Sequence, residues 1–348
     1  MAISSIKLKQ REVGPHKAIV APLFETRNVL TNNPWTFTAL WLKRNRKQQA
    51  LFFWEQAQEF HKASVGLPLR SAPLLLYYSF MNATKALLVS RGLAFEERHG
   101  VVAFPRVAAG GKRSFLGEGI MIHPSGILPS LSQYYQEPEP NRIHSLKDLL
   151  ANMVFIHRTY CLTFGSHKEM YIPLANCAYV FDTRSREVFL KADVEKNTPA
   201  SAALRSLPPT FKPFSALGPR SICSVARLKW AKPEKPTAAN VKELASYNGK
   251  LRRELHFING AQTLWYLKIS RKGQRTIERQ LPTMILGVMH RLSEICRYHP
   301  LQLESLLSGD KNWLLSEFIQ TSAAQFIDEI ASEITGHQFL IPNVRAPS

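Results

Sequence analysis

The chain is poor in cysteine, in long apolar runs and in acidic residues, and each shortage narrows what it can be. Only four cysteines occur in 348 residues, and Cys161, Cys177, Cys223 and Cys296 form no CxxC pair. The paired thiolates that hold a tetrahedral zinc ion are therefore missing. The four read as reduced, mostly buried thiols of a cytoplasmic protein. No apolar run approaches the ~18 residues of a membrane span, since the longest, around "PLLLYYSFM", is interrupted by Asn82, Thr84 and Lys85. Residues 1–30 are basic but lack both a continuous apolar stretch and a small-residue cleavage site, so no secretory signal is expected. The GxSxG, HExxH and Walker patterns are absent too, which leaves hydrolase and ATPase chemistry without a motif; no metal or cofactor is expected.

What is abundant is positive charge. The 45 Lys and Arg outnumber 26 Asp and Glu, for a net charge of +19. The excess is concentrated: Arg205–Arg275 holds fifteen Lys and Arg against three Asp and Glu, whereas Leu281–Ser348 holds four against seven. A basic middle and a mildly acidic end suggest two surfaces with different partners. Such basicity favours polyanions, nucleic acid among them. The cations expected to meet DNA or RNA are Arg220, Arg227, Lys229, Lys232, Lys250, Arg252, Arg253, Arg271, Lys272 and Arg275. Trp230, Phe257, Trp265 and Tyr266 are interleaved with them as candidate stacking groups. The plain alternative is a solvated basic face with no specific ligand.

The pattern along the chain predicts an α+β fold, predominantly α-helical, in which N- and C-terminal helical segments form the core around an embedded small β-rich region. The expected divisions are 1–99, 100–280 and 281–348. Asn33 with Pro34 behind it starts a helical stretch toward Ser64. Ser71 and Pro73 open a second helix, apolar nearly all round and hence central, that ends at Arg91-Gly92. Residues 100–135 read as short strands and turns. Ser145 and Asp148 begin another helix, and "CAYVFD" and "EVFLKADV" form a hairpin around "TRSR". The proline-bearing segment 197–240 reads as a linker or extended loop with edge strands. A strand pair around Asn259-Gly260 follows, and helices close the chain.

Three stretches together resemble the bacterial YaaC-like proteins: "RSAPLLLYYSFMNATKALLVSRGL…RHG" at 70–100, "HSLKDLLANM…HRTY" at 144–160, and "MHRLSEICRYHPLQLESLLSG" with its following helix. The shared features are a Tyr-Tyr with an Asn-x-x-Lys, a His-Gly after the helix, and an Arg-Tyr-x-Pro end. The resemblance implies a mainly helical bacterial cytoplasmic protein of unassigned activity. Some such relatives resemble parts of antiviral gene clusters, so a protein partner, an ATPase or nuclease subunit, is expected.

Four constellations were candidates for chemistry. Tyr78, Asn82 and Lys85 share one helical face and, with His99, suggest a polar pocket. The Gly110-Gly111-Lys112-Arg113 turn lacks phosphate-loop spacing and reads as a basic hairpin. Asp328-Glu329 reads as a solvated helix face. Last, Arg297 with His290 or His299 resembles the Arg/His pair of metal-independent HEPN-type ribonucleases. Its order is reversed, however, and Pro300 disfavours helical geometry at His299. The leading expectation is a non-enzymatic binding subunit; the ribonuclease and a pure scaffold are the alternatives.

Overall fold

The computed structural model describes residues 3–104, 115–231, 233 and 236–342. Lys232 and the Gly110–Arg113 turn lie outside the described residues. The fold is α+β, and the chain divides into two compact units. Residues 1–31, 169–274 and 336–348 form a sheet unit; residues 32–168 and 275–335 form a helical unit. The expected segments 1–99, 100–280 and 281–348 each run across both.

The sheet unit is built on a long hairpin, β8 (Tyr171–Asp182) with β9 (Glu187–Val194). Residues alternate between its faces as the two-residue strand period requires. Tyr179, Phe181, Val188, Leu190, Ala192 and Val194 enter the main core, while Val180 and Phe189 join Cys223 on the other face. β1 (Ile3–Ser5), β13 (Leu255–Ile258) and β14 (Leu264–Lys268) extend the sheet, so the strand pair around Asn259-Gly260 forms as expected. Beyond β9 lie β10 (Phe211–Pro213), β11 (Ser221–Ser224) and β12 (Leu228–Lys229). All four residues of β11 are buried. The 197–240 segment is therefore not a linker: it supplies a short helix, α7 (Ala200–Arg205), and three strands. Its prolines fall at element ends or in the loops between elements, where they remove no ladder hydrogen bond.

Thr237 then caps α8 (Ala238–Leu251) in a reciprocal capping box with Asn240. This helix lays Leu244, Tyr247 and Leu251 on the core. Its Asn248 is fully buried, accepting from the His16 backbone N–H (2.9 Å) and the Tyr179 hydroxyl (3.0 Å), and donating to the Ala18 carbonyl (3.0 Å). Short strand pairs β2 (Lys7–Leu8) with β3 (Arg11–Glu12), and β4 (Val29–Leu30) with β15 (Phe339–Leu340), complete the unit.

In the helical unit, α1 (Pro34–Arg44) and α2 (Gln48–Ser64) replace the single stretch expected after Asn33. The Asn33 side chain accepts from the Thr36 N–H as a cap should, but Arg46 adopts a positive φ of 55° and breaks the run. The second helix, α3 (Ala72–Ser90), buries fourteen residues and packs against α2, α9 (Leu281–Tyr298) and α11 (Asn312–Thr335). Phe80 stacks on Phe326 at 4.4 Å between ring centres. Each large apolar side chain so buried contributes about 1.5–3 kcal/mol.

A small sheet of β5 (Val101–Ala103), β6 (Gly119–Ile122) and β7 (Ile143–Ser145) lies beside α9. Residues 127–134, expected to be strand or turn, form α4 (Ile127–Tyr134). The Ser145 hydroxyl accepts from the Asp148 N–H, opening α5 (Leu146–Ala151); α6 (His157–Thr163) follows, and α10 (Pro300–Ser308) separates α9 from α11. Among the described residues no helix is long and apolar enough to cross a membrane.

Candidate functional site

Nine of the ten cations expected to meet nucleic acid are among the described residues, Lys232 being the exception, and they separate into three groups. Four are structural. Arg220 donates to the carbonyls of Val194 (3.0 Å), Glu195 (2.5 Å) and Thr198. Arg252 is 1% exposed, lies over Phe257 and Trp265, and donates to the Leu255 carbonyl. Arg227 covers the Phe189 ring at 3.9 Å and approaches Glu187. Arg271 bonds the Glu169 carbonyl and the Ser206 hydroxyl. A fifth, Arg275, belongs to the helical unit, where it pairs with Asp148 at 3.8 Å. Lys229, Lys250, Arg253 and Lys272 remain: all four are exposed, and among the described residues none has an ion-pair partner.

The expected stacking groups are corrected by burial. Trp230 is 1% exposed, Phe257 0% and Trp265 8%; all belong to the sheet-unit core, where large rings bury the most apolar surface. Trp265 keeps the most exposure of the three. It lines a cavity of about 570 Å³ in the sheet unit, together with Arg11, Arg27, Phe24, Gln262 and Gln338. Tyr266 is half-buried.

In the helical unit the structure joins two constellations that the sequence presents far apart. The Tyr77 hydroxyl is 2.6 Å from Nδ1 of His99, and the rings of Tyr77, His99 and His290 lie 5.0–5.4 Å apart in a triangle. Tyr77 and Tyr78 come from α3, His290 and Arg297 from α9, and His99 from the loop that leads into β5. That loop is fixed by its own backbone. The carbonyls of Arg98 and His99 accept from the N–H groups of Ile127 and Leu128, the first turn of α4. Gly100 (φ +75°) and Gly126 (φ +121°) pass so closely that a Cβ on Gly126 would lie 2.6 Å from the Gly100 Cα. The His-Gly pair thus places the ring, and its glycine permits the contact.

Positive charge surrounds these rings. Burial, with Arg297 and Lys85 nearby, lowers the His99 pKa; burial, then His99, Arg291 and Arg297, push His290 down to about 3. Burial raises Tyr77 far above the ordinary phenol value. All three rings are neutral near pH 7. Nδ1 of His290 is buried without a hydrogen-bond partner, 3.7 Å from the Glu294 carboxylate. That carboxylate already accepts from Arg291 at 3.2 Å, and Arg291 is held in turn by buried Glu118 at 2.7 Å. Lys85 lies over Phe53, Tyr78 stacks on Phe60, and the Asn82 side chain bonds the Tyr78 carbonyl within its own helix. Arg297 is exposed over Tyr298, and His299 is exposed at the α9–α10 junction with φ −139°, the non-helical geometry that Pro300 imposes.

Two features escaped sequence reasoning. Asp328 and Glu329 are buried (0% and 2% exposed), not on a solvated face, and Glu333 on the same helix accepts from the Tyr134 hydroxyl at 2.7 Å. The apolar residues flanking them on both sides of α11 were the available signal. His157 and Cys161, one turn apart on α6, bring Nε2 and Sγ to 3.4 Å, while Nδ1 of His157 bonds the Ala151 carbonyl. The four cysteines are free thiols.

No curated protein and no solved structure matches the chain. A family model described as YaaC-like Protein matches residues 25–334. With most of its length inside that match, the chain belongs to the YaaC-like family.

Proposed function

We propose that the protein is a binding subunit that holds nucleic acid or another polyanion by its phosphate backbone, through exposed cations of the sheet unit. The observation that carries this reading is the charge imbalance of Arg205–Arg275, fifteen Lys and Arg against three Asp and Glu, with Lys229, Lys250, Arg253 and Lys272 exposed and unpaired among the described residues. Backbone contact by such cations is independent of base sequence, and its affinity falls steeply with salt. Stacking plays little part, because Trp230, Phe257 and Trp265 are core and Tyr266 is half-buried. Any chemistry on the bound strand falls to a partner protein in the same cytoplasmic assembly, of the antiviral kind the resemblance suggests.

Titration of labelled single- and double-stranded DNA and RNA at two salt concentrations tests the proposal; absence of binding at low salt refutes it. Cleavage of RNA by Arg297 with His290 or His299 draws less support. A general acid–base group works best with a pKa near the working pH. His290 is closed off and pushed down to about 3, and His299 stands outside the Tyr77–His99–His290 triangle.

A further inference from the structure

The strongest unassigned feature is the cavity of about 570 Å³ in the sheet unit, a volume within the range of small-molecule sites. Two of the side chains lining it are donors whose protons are placed by the bond on their other atom. His16 is 2% exposed, and its Nδ1 accepts from the Ala18 N–H at 3.0 Å. Burial keeps the ring neutral, so its one proton sits on Nε2, which meets no acceptor among the described residues. Half-buried Gln338 is alike. Its Oε1 accepts from the Lys17 N–H at 3.2 Å, and its amide NH2 meets no acceptor among the described residues. Buried polar groups are nearly always satisfied, so an unmet donor on a cavity wall points to a ligand or ordered solvent.

The charge of the lining is one-sided as well. Arg27 is exposed and engages no carboxylate or carbonyl among the described residues. Arg11 donates to the carbonyls of Thr26 (2.8 Å) and Glu25 (2.6 Å), so no carboxylate offsets its charge. The one carboxylate of the lining, Glu12, stands opposite Lys7 in the β2–β3 pair. Two rings supply apolar wall: Phe24, edge-to-face with His16 at 5.4 Å, and Trp265, packed on Phe257 and Arg252. The frame is set beforehand. Val13 bonds the backbone of Ile6 and Tyr179, and Asn248 bonds both the N–H and the carbonyl of His16.

We propose that this cavity binds a nucleoside monophosphate. The base lies against Phe24 and Trp265, its ring-nitrogen and carbonyl acceptors take the N–H groups of His16 and Gln338, and the phosphate meets Arg27 and Arg11. Aromatic walls suit a base because every base presents a π face. Guanidinium suits phosphate because its bonds there are charge-assisted and planar. Phosphate alone leaves the rings and the His16 donor unmet, and a neutral nucleoside leaves two guanidinium charges unmet; the nucleotide answers both. The site does not rest on the polyanion reading, since none of Lys229, Lys250, Arg253 and Lys272 is among the residues lining the cavity.

The test is calorimetric titration of the full chain with adenosine, guanosine, cytidine and uridine monophosphates, alongside the four nucleosides and inorganic phosphate at matched ionic strength. Expected is saturable one-to-one binding of at least one nucleotide, about tenfold tighter than its nucleoside, with no saturation by phosphate over the same range. The His16 imidazole resonances should move as the site fills. Arg27→Met should weaken binding about tenfold. Arg27 is exposed, so this variant should melt as the wild type does. Lys250→Ala with Arg253→Ala should leave nucleotide binding unchanged, even if it abolishes binding of a longer strand. Binding confined to one base supports the site and identifies that base. No saturation by any of the four nucleotides, a nucleoside as tight as its nucleotide, or undiminished binding by Arg27→Met overturns it. So does an equal loss in the Lys250, Arg253 variant, which would place the nucleotide on those cations instead.

Discussion

Removing the Glu118 carboxylate should cost the helical unit about 3 kcal/mol, at the lower end of the range for breaking a buried ion pair. Glu118 is 1% exposed and stands just before β6. Its carboxylate accepts from Nε of Arg291 on α9 and from the Gln302 amide on α10, each at 2.7 Å. Glu118→Ala leaves the Arg291 guanidinium buried, with Glu294 at 3.2 Å as its remaining carboxylate. That surviving partner is why the lower end applies. For a unit of this size, about 3 kcal/mol corresponds to a fall of roughly 6–12 °C in Tm. Thermal melting followed by circular dichroism, read on the helical transition, measures it. A paired Glu118→Leu, Arg291→Met variant removes both charges and should recover most of the loss, because the desolvation cost goes with the attraction. A single variant that loses under about 1 kcal/mol, or a double variant worse than the single one, would show that the pair is not the clamp described.

Other consequences are open to measurement. Gly126→Ala should destabilise by about 2 kcal/mol or more, since a positive φ and a collision with Gly100 act together, and should move the His99 resonance. Asn248→Ala should cost the sheet unit about 2–3 kcal/mol by orphaning the His16 N–H and the Tyr179 hydroxyl, read as a lower urea midpoint. His16 and His290 are held neutral with pKa values of about 3, against 6.5 for an unfolded histidine, so the unfolded chain binds more protons between those values. Their contribution is fully present above pH 6.5 and is lost as pH falls toward 3, giving a urea midpoint that drops with acidification across that window. A flat midpoint from pH 6.5 to 4 contradicts the burial of the neutral rings.

Much of the architecture was legible because local signals agreed. Asn33-Pro34, Ser145 with Asp148, the "TRSR" hairpin and Asn259-Gly260 each specify a cap or turn by their own chemistry. The α8 helix is missing from the sequence reading, although Thr237 with Asn240 and the spacing of Leu244, Tyr247 and Leu251 mark it, because the prolines before it suggest a linker or extended loop. The division into units was not legible, since each unit gathers segments far apart in the chain and contact between them depends on tertiary packing. The same holds for the site. Basic residues look alike in sequence, whether they cap carbonyls, as Arg220 does, or stand free, as Lys250 does. In sequence Tyr77 is half of a Tyr-Tyr pair and His290 a partner of Arg297; only folding brings both to His99.

The polyanion claim is tested most directly by the salt dependence of nucleic-acid binding. For wild type, the logarithm of the association constant should fall linearly with the logarithm of salt concentration, by about 0.9 per phosphate contacted on duplex DNA. Replacing Lys229, Lys250, Arg253 and Lys272 by alanine should shrink that slope by up to about 3–4, with each exposed site costing less than about 0.5 kcal/mol in stability. A slope unchanged by the fourfold variant, or no salt dependence in the wild type, would contradict the account.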